Sequence, residues 1–164
     1  MHRTSLSVLF LIIFLVSFQV NAEMSGVVIN GVGSIKVYVE IFKPEEHKLK
    51  SCGDYTCLIN DSPFFGSDGK IPSEKITKIV FSHSGCKINL DVSAMYDPNI
   101  NNGNIKNRIK VDHYWGEFYK VTGRFSDGAG TYIAQWIVTK GASIRTHISD
   151  TEDVYELFME TSGK

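Results

Sequence analysis

The sequence predicts an α+β fold in which mostly antiparallel strands carry one C-terminal helix. Three observations support this prediction. Apolar and polar residues alternate in several short segments, turns rich in Gly and Asn connect these segments, and one stretch of helical period closes the chain. We expect hairpins followed by a C-terminal meander, with the helix packed on part of one face of the sheet.

The first 22 residues predict a secretory signal peptide. Arg3 precedes an apolar run from Leu6 to Val20, and Ala22 ends a small-residue pattern typical of a cleavage site. The run is shorter than the about 20 residues of a membrane span. An uncleaved N-terminal anchor is the alternative, but no basic cluster follows. We therefore expect a signal peptide over residues 1–22 and one β-rich domain over 23–164, in a periplasmic or secreted protein without membrane contact after cleavage.

Three cysteines follow the predicted leader, and an exported protein can form disulfides. Cys52 and Cys57 are close in sequence with Gly53 between them, which favours a small disulfide loop and leaves Cys86 free and buried. The alternative is a bond from Cys86 to either of the others, because spacing does not determine connectivity. The close pair lacks the two-residue spacing of thioredoxin-like redox sites.

The first two strands are predicted as a hairpin. Segment 27–30 is an apolar run that ends on Asn30, segment 34–42 alternates in polarity, and Asn30 and Gly31 between them both tolerate positive φ. From Lys43 to Lys75 the alternation disappears, while proline and glycine become frequent. We expect this part to be a long irregular excursion held by the disulfide, rather than a second domain.

A second hairpin and a meander follow the excursion. Alternation returns in segments 76–82 and 86–94, and polar residues at every second position predict a sheet with one face in water. The Asn-rich segment 97–107 is predicted to be a polar loop. The meander is predicted to consist of strands 108–115, 118–125, 130–139 and 143–148.

The chain closes with a predicted amphipathic helix. Ser149 and Glu152 have the spacing of a capping box, in which each side chain accepts the other residue's backbone N–H. Val154, Leu157 and Phe158 then fall at positions i, i+3 and i+4, which form one apolar stripe. We expect this stripe to pack on the sheet.

Composition and motifs argue against several functions. The net charge of −1 and the scattered Lys and Arg residues argue against nucleic-acid binding. A calcium loop beginning at Asp97 would have Asn102 and Arg108 where an EF-hand requires Gly and Glu. His83 and Cys86 could share a metal across a turn, but no second pair of ligands is evident. We therefore expect neither a metal nor a cofactor.

The sequence carries no recognisable catalytic motif. Ser84 precedes Gly85 but lacks the upstream glycine of a Gly-x-Ser-x-Gly elbow, so no catalytic residue is assigned and a non-enzymatic protein is expected. Two alternatives stay open. Converging carboxylates could make a small periplasmic hydrolase, and a sheet and helix that enclose an apolar pocket could make a carrier of hydrophobic ligands.

Strand register decides where a candidate binding surface lies. A two-residue turn after the third meander strand would place Arg145 opposite Trp136, whereas a three-residue turn would place Arg145 beside Arg124 on the other face. The second register separates apolar from polar residues better, so we prefer it, although the face could be merely hydrated. It predicts a polar, partly cationic face made of Lys120, Arg124, Gln135, Arg145 and His147.

The sequence predicts a protein that binds a protein partner, in the sharpest form an inhibitor or immunity-type protein that acts by steric occlusion. Most of the aromatic rings in segment 114–136 are expected in the core, but an exposed aromatic such as Trp115 could anchor a partner. We expect the excursion or the polar face to enter the partner's cleft, with Arg124, Arg145 and Trp115 as anchors.

Overall fold

The computed structural model describes residues 23–29, 32–101 and 103–162. The predicted signal peptide, 1–22, and part of the first predicted turn, 30–31, lie outside the described residues. The strands are β1 (Glu23–Ile29), β2 (Gly33–Ile41), β3 (Leu49–Cys52), β4 (Tyr55–Ile59), β5 (Glu74–His83), β6 (Cys86–Leu90), β7 (Ile109–Trp115), β8 (Phe118–Phe125), β9 (Tyr132–Val138) and β10 (Ser143–Ser149), and the helices are α1 (Ile105–Arg108) and α2 (Glu152–Ser162).

Two four-stranded antiparallel sheets pack against each other. Sheet 1 has the order β1-β2-β5-β6, and sheet 2 is the meander β10-β9-β8-β7. Buried residues from both sheets form one core. The prediction of an α+β fold with antiparallel strands and a C-terminal helix is confirmed. The face-to-face pairing of two sheets is the feature that the alternating pattern did not specify.

The core follows from the alternation along the strands. Ile35 and Val37 of β2, Phe81 of β5 and Trp136 of β9 are each at most 1% exposed. The indole Nε1 of Trp136 donates a hydrogen bond to the backbone carbonyl of Asp91 at 2.9 Å, which satisfies the one polar atom that this large side chain buries. Burial of these side chains provides the main driving force for joining the two sheets.

The excursion between β2 and β5 is partly regular. β3 and β4 form a separate two-stranded sheet whose turn contains Gly53 with φ of +67°. The sulfur atoms of Cys52 and Cys57 are 2.07 Å apart, and Cys86 is free. The preferred disulfide is therefore confirmed. A wholly irregular excursion was the wrong expectation, because the disulfide closes a short hairpin whose strands pair with each other rather than with either large sheet.

Two further boundaries differ from the predictions. The predicted polar loop 97–107 includes the start of α1, because Ile105 inserts into the core and is 1% exposed. α2 begins at Glu152, while Ser149 still belongs to β10 and its Oγ accepts the amide of Thr151 at 3.1 Å. The predicted capping box is therefore wrong. Among the described residues, no helix has both the length and the hydrophobicity needed to cross a bilayer.

The two ends of the sandwich are built differently. At one end, which we call the hairpin end, lie the β5–β6, β7–β8 and β9–β10 turns, and a small cavity brings these three turns together. At the opposite end, the loop end, the excursion meets the segment after β6 through bridges from Phe65 to Met95 and from Lys75 to Tyr96. The β8–β9 connection joins them there, because the Ser126 amide donates to the Pro98 carbonyl at 2.8 Å.

Candidate functional site

Three of the predicted binding residues share the outer face of sheet 2. Lys120 and Arg124 lie on β8, and Gln135 of β9 lies opposite Thr122, which is two residues from each of them. Alternate residues of a strand point to the same face, and so do directly opposed residues of neighbouring strands. The prediction that these three residues share a face is confirmed.

The predicted register of β10 is wrong at Arg145. β9 and β10 are joined by the two-residue turn Lys140–Gly141, closed where the Thr139 amide donates to the Ala142 carbonyl at 2.9 Å. The two-residue alternative is therefore observed, and the preferred three-residue turn is not. This turn places Arg145 opposite Trp136, on the side of sheet 2 that faces the core. A change of one residue in the turn is enough to reverse the face, because strand side chains alternate with a period of two.

Arg145 joins the edges of the two sheets. Its Nη1 donates to the Ser93 carbonyl at 2.5 Å, and its Nη2 lies 3.3 Å from Oδ2 of Asp91. Partial burial raises the pKa of Asp91, but hydrogen bonds from the amide and hydroxyl of Ser93 and the charge of Arg145 outweigh it, so the pKa lies below its usual value. The Arg145 side chain is 16% exposed. It is a structural bridge in this conformation rather than a free anchor.

A β-bulge returns the end of β10 to the preferred register. The pairing shifts between Arg145 and His147, so that His147 lies opposite Gln135 on the outer face. Thr146 is the additional residue, and its Oγ1 lies 3.3 Å from the Gln135 carbonyl and 3.2 Å from Oε1 of the same residue. One inserted residue changes the face of every side chain after it. The preferred register is therefore right for His147 and wrong for Arg145.

Helix α2 covers part of this outer face and engages Arg124. Nη1 of Arg124 donates to the hydroxyl of Tyr155 at 3.1 Å, and its guanidinium carbon lies 5.8 Å from the centre of the Tyr155 ring. Nε of Arg124 is buried and has no hydrogen-bond partner within the described ranges. Burial lowers the pKa of Arg108, and the nearby positive charge of Arg124 lowers it further. Arg124 therefore holds the helix to the sheet.

A cavity of about 490 Å³ separates the rest of α2 from the sheet. We call it the helix cleft. The predicted residues Lys120, Gln135 and His147 contribute to its wall, so the structure brings these three together. The apolar wall could have been predicted from the sequence. The apolar stripe of α2 must pack on an apolar side chain of the sheet, and Ile133 is that side chain. The cleft is lined by Lys110, Asp112, Lys120, Thr122, Ile133, Gln135, Thr146, His147, Val154, Leu157 and Phe158.

Trp115, the sixth predicted binding residue, lies at the hairpin end of sheet 2, opposite Phe118, which is two residues from Lys120 on β8. It is 73% exposed, and its ring stacks on Phe118 with 6.0 Å between ring centres and 18° between planes. Tyr114, which the analysis of the sequence did not single out as a binding residue, is also largely exposed. Trp115 and Tyr114 therefore form an aromatic tip on the β7–β8 hairpin.

Local backbone chemistry explains the exposure of this tip. The pairing of β7 with β8 shifts between His113 and Trp115, which makes Tyr114 an additional residue. Gly116 turns the chain with φ of +57°, a conformation that glycine adopts without steric cost. Nε2 of His113 lies 2.8 Å from the Gly116 carbonyl and closes the turn. Bulges of this kind re-aim side chains, and this one leaves both rings of the tip in solvent.

Below the aromatic tip lies a cavity of about 100 Å³ that is lined in part by His83, Cys86 and Tyr119. Nδ1 of His83 contacts the Val32 carbonyl, which requires a proton on Nδ1, so Nε2 accepts the Tyr119 hydroxyl at 3.1 Å. These bonds fix the imidazole. Among the described residues, no group of three or more His, Cys, Asp or Glu side chains is arranged to hold a metal ion.

An open acidic groove of about 560 Å³ lies at the loop end. Oδ1 of Asp97 accepts the amide and hydroxyl of Ser73, both at 2.8 Å, and the amide of Glu74 at 2.9 Å. Oδ2 of Asp127 accepts Nδ2 of Asn99 at 2.7 Å. These two carboxylates bind the loops to one another.

Comparisons with known proteins add no second line of argument. No protein-family model matches the chain, and no match is found among curated proteins or solved structures. Two regions have a geometry suited to binding, namely the aromatic tip at the hairpin end and the helix cleft on the outer face of sheet 2.

Proposed function

We propose that this protein is an exported, non-enzymatic binding protein that inserts its aromatic tip into a pocket of a partner protein. The observation that carries the proposal is the exposure of Trp115 beside Tyr114 on a hairpin closed by a tight turn. Exposed Trp and Tyr side chains provide much of the binding energy at protein interfaces, and a rigid hairpin loses little entropy when it docks. The sharpest form of the proposal is an inhibitor or immunity-type protein that blocks a partner's cleft.

The support of the tip favours docking by insertion. Phe118 stacks beneath Trp115, and His113 holds the turn through the Gly116 carbonyl, so the rings are presented in a defined position. On the flank, Nζ of Lys140 lies 2.7 Å from Oε1 of Glu117, and both side chains are exposed. An apolar centre with a charged rim is the usual composition of a protein interface.

Arg124 and Arg145, two of the three anchors predicted from the sequence, have no anchoring role in this proposal. Arg124 is bonded to Tyr155, and Arg145 is bonded to Ser93 and paired with Asp91. Neither guanidinium can reach a partner without breaking these contacts. Trp115 keeps its predicted role as an anchor.

Export is part of the proposal. The predicted leader directs the chain across a membrane, and the Cys52–Cys57 disulfide is typical of oxidising compartments. The partner would therefore be a protein of the periplasm or the extracellular space.

The test compares exposed aromatics at the two ends of the molecule. Trp115→Ala removes the tip, whereas Tyr55→Ala removes an aromatic that is 65% exposed at the loop end. Tagged wild type and both variants are expressed with their leader in the native host, and partners are recovered from the exported fraction after cross-linking. We expect Trp115→Ala to weaken binding of the recovered partner by about 30-fold, while Tyr55→Ala binds like wild type. Equal recovery with all three proteins, or a loss confined to Tyr55→Ala, would overturn the proposal.

A further inference from the structure

We propose that the helix cleft is a second binding site, for a small amphiphilic carboxylate such as a medium-chain fatty acid. Neither Tyr114 nor Trp115 of the aromatic tip is among the residues that line it. One wall is the outer face of sheet 2, and the other is α2. Its volume of about 490 Å³ lies within the range of small-molecule sites in proteins, roughly 300 to 1,000 Å³.

The apolar half of the cleft lies toward the loop end of the face. Ile133 projects from β9 and is 3% exposed, and Phe158 of α2 is 7% exposed. Val154, one turn earlier on the same helix, is half-buried, and the side chain of Leu157 reaches solvent at the mouth. These four side chains offer a hydrocarbon tail a surface that is already partly removed from water.

The polar half lies further toward the hairpin end. Lys120 and Asp112 are opposite each other in register, but the carboxylate of Asp112 pairs with Lys110, whose Nζ is 3.6 Å from Oδ1. Lys120 is half-buried, and its ammonium makes no hydrogen bond or ion pair with the residues that the structure describes. A partly desolvated ammonium group with no partner is stabilised by a bound anion.

The spacing of the two halves matches one extended ligand. Arg124 lies opposite Ile133, and Lys120 is four residues from Arg124 on the same strand. At about 3.4 Å of rise per residue, the charged and apolar parts of the face are therefore on the order of 13 Å apart. His147 and the paired Lys110 and Asp112 complete the lining. Among the lining residues, two lysines against one aspartate leave a net positive charge, which favours a carboxylate over a neutral or cationic head group.

The test uses decanoate with two matched probes, and each is titrated into the purified protein by calorimetry. Acetate carries the head group alone, and decyltrimethylammonium carries the same tail with the opposite charge. We expect decanoate to bind and the other two to bind at least about tenfold more weakly. Backbone amide shifts on addition of decanoate should map to β8, β9 and α2.

Three variants separate the cleft from nonspecific binding and from the aromatic tip. Lys120→Met keeps the aliphatic stem and should weaken decanoate binding about tenfold, whereas Lys36→Met, at an exposed position on sheet 1, should have no effect. Trp115→Ala should bind decanoate like wild type, so failure of one site is distinguishable from failure of the other. Equal binding of decanoate and its cationic analogue, unchanged binding by Lys120→Met, or amide shifts centred on the hairpin-end cavity would each overturn the inference.

Discussion

Three turns of the hairpin end differ from the Gly66–Gly130 contact of the loop end in how closely the backbone packs, although at the hairpin end a Cβ on Gly33 would lie 2.1 Å from the Ser82 carbonyl oxygen of the neighbouring strand. At the hairpin end, a Cβ added to Gly85, Gly116 or Gly141 would meet nothing within 4 Å. At the loop end, a Cβ on Gly66 would lie 2.0 Å from the Tyr96 carbonyl oxygen, and one on Gly130 would lie 2.5 Å from the Gly66 carbonyl oxygen. The loop end is therefore held by direct contact between backbones, whereas these three hairpin-end turns stand in open space.

Polar side chains show the same contrast. At the loop end, the Ser126 hydroxyl donates to the Gly66 carbonyl at 2.6 Å, and Asp97 accepts three hydrogen bonds from the excursion. At the hairpin end, Glu117 and Lys140 form an exposed ion pair. Close packing leaves little freedom to exchange side chains, so a binding surface can vary most easily at the hairpin end. The exposed rings of the aromatic tip lie there.

The largest expected difference in unfolding free energy is between alanine substitutions of Gly130 and Gly141, two glycines whose φ values lie outside the left-handed region. Gly130→Ala forces the β8–β9 connection away from Gly66 and should reduce the free energy of unfolding by about 3 kcal/mol. Gly141→Ala meets no atom and should change it by less than about 0.5 kcal/mol, or raise it slightly through loss of chain entropy in the unfolded state. Urea unfolding followed by tryptophan fluorescence measures both. Equal midpoints for the two variants would show that the loop end is no more tightly packed than the turns.

A smaller effect is expected at two tyrosine hydroxyls. Tyr132 is fully buried near the loop end and donates to the Tyr96 carbonyl at 3.2 Å, so Tyr132→Phe should cost about 1 to 2 kcal/mol of unfolding free energy. Tyr119 is half-buried and bonds His83 at the hairpin end, so Tyr119→Phe should cost about 0.5 kcal/mol. Urea unfolding measures the unfolding free energy of both variants. A larger loss for Tyr119→Phe than for Tyr132→Phe would contradict the expectation that the loop end is held more tightly.

The pH dependence of Tyr132 sharpens this test. Burial raises the pKa of Tyr132 well above its ordinary value, and the charge of Asp97 raises it further, while Arg145 opposes the shift. The folded state thus keeps a proton that the unfolded chain loses above about pH 10. The wild type should therefore lose stability as the pH rises above that value, by up to about 1.4 kcal/mol per pH unit, and Tyr132→Phe should lack this contribution. Parallel curves for the two proteins would refute the assignment.

The smallest effect concerns two carboxylates in ion pairs. Asp91→Asn weakens the bridge to Arg145 and should cost less than about 1 kcal/mol, because half of the Asp91 side chain is in solvent. The depressed pKa of Asp91 means that its contribution is present above the pKa of the unfolded chain and is lost as the pH falls below about 4. Glu117→Gln, in the exposed pair, should leave the urea midpoint at pH 7 unchanged. A larger loss for Glu117→Gln would reverse the ranking of the two pairs.

Much of the fold could be predicted because its signals are local. Alternating polarity identified β2, β5 and the strands of the meander, and the short spacing of Cys52 and Cys57 identified the disulfide. The hairpin β3–β4 was missed because its pairing depends on the closed disulfide loop and not on an apolar face. The buried turn α1 was missed because a single apolar residue, Ile105, inserts into the core from a polar segment.

The candidate site could be predicted only in part. Lys120, Arg124 and Gln135 were placed on one face because the register between β8 and β9 contains no bulge. Arg145 and His147 lie on different faces because a two-residue turn sets the register of Arg145 and a bulge at Thr146 then shifts it, and alternation gives no signal for that bulge. The pattern also did not predict that α2 lies over this polar face. The helix lies there because sheet 1 covers the other face of sheet 2.

The sequence by itself determined the strands of the meander and their antiparallel order and the terminal helix, and it favoured the close disulfide, since each depends on residues near one another along the chain. The tertiary structure decided which sheets face each other, which side of sheet 2 receives the helix and where each cationic side chain lies. The physical reason is that a strand has two faces and a shift of one residue exchanges them. Which face is buried depends on what packs against it, and that partner lies far away in sequence.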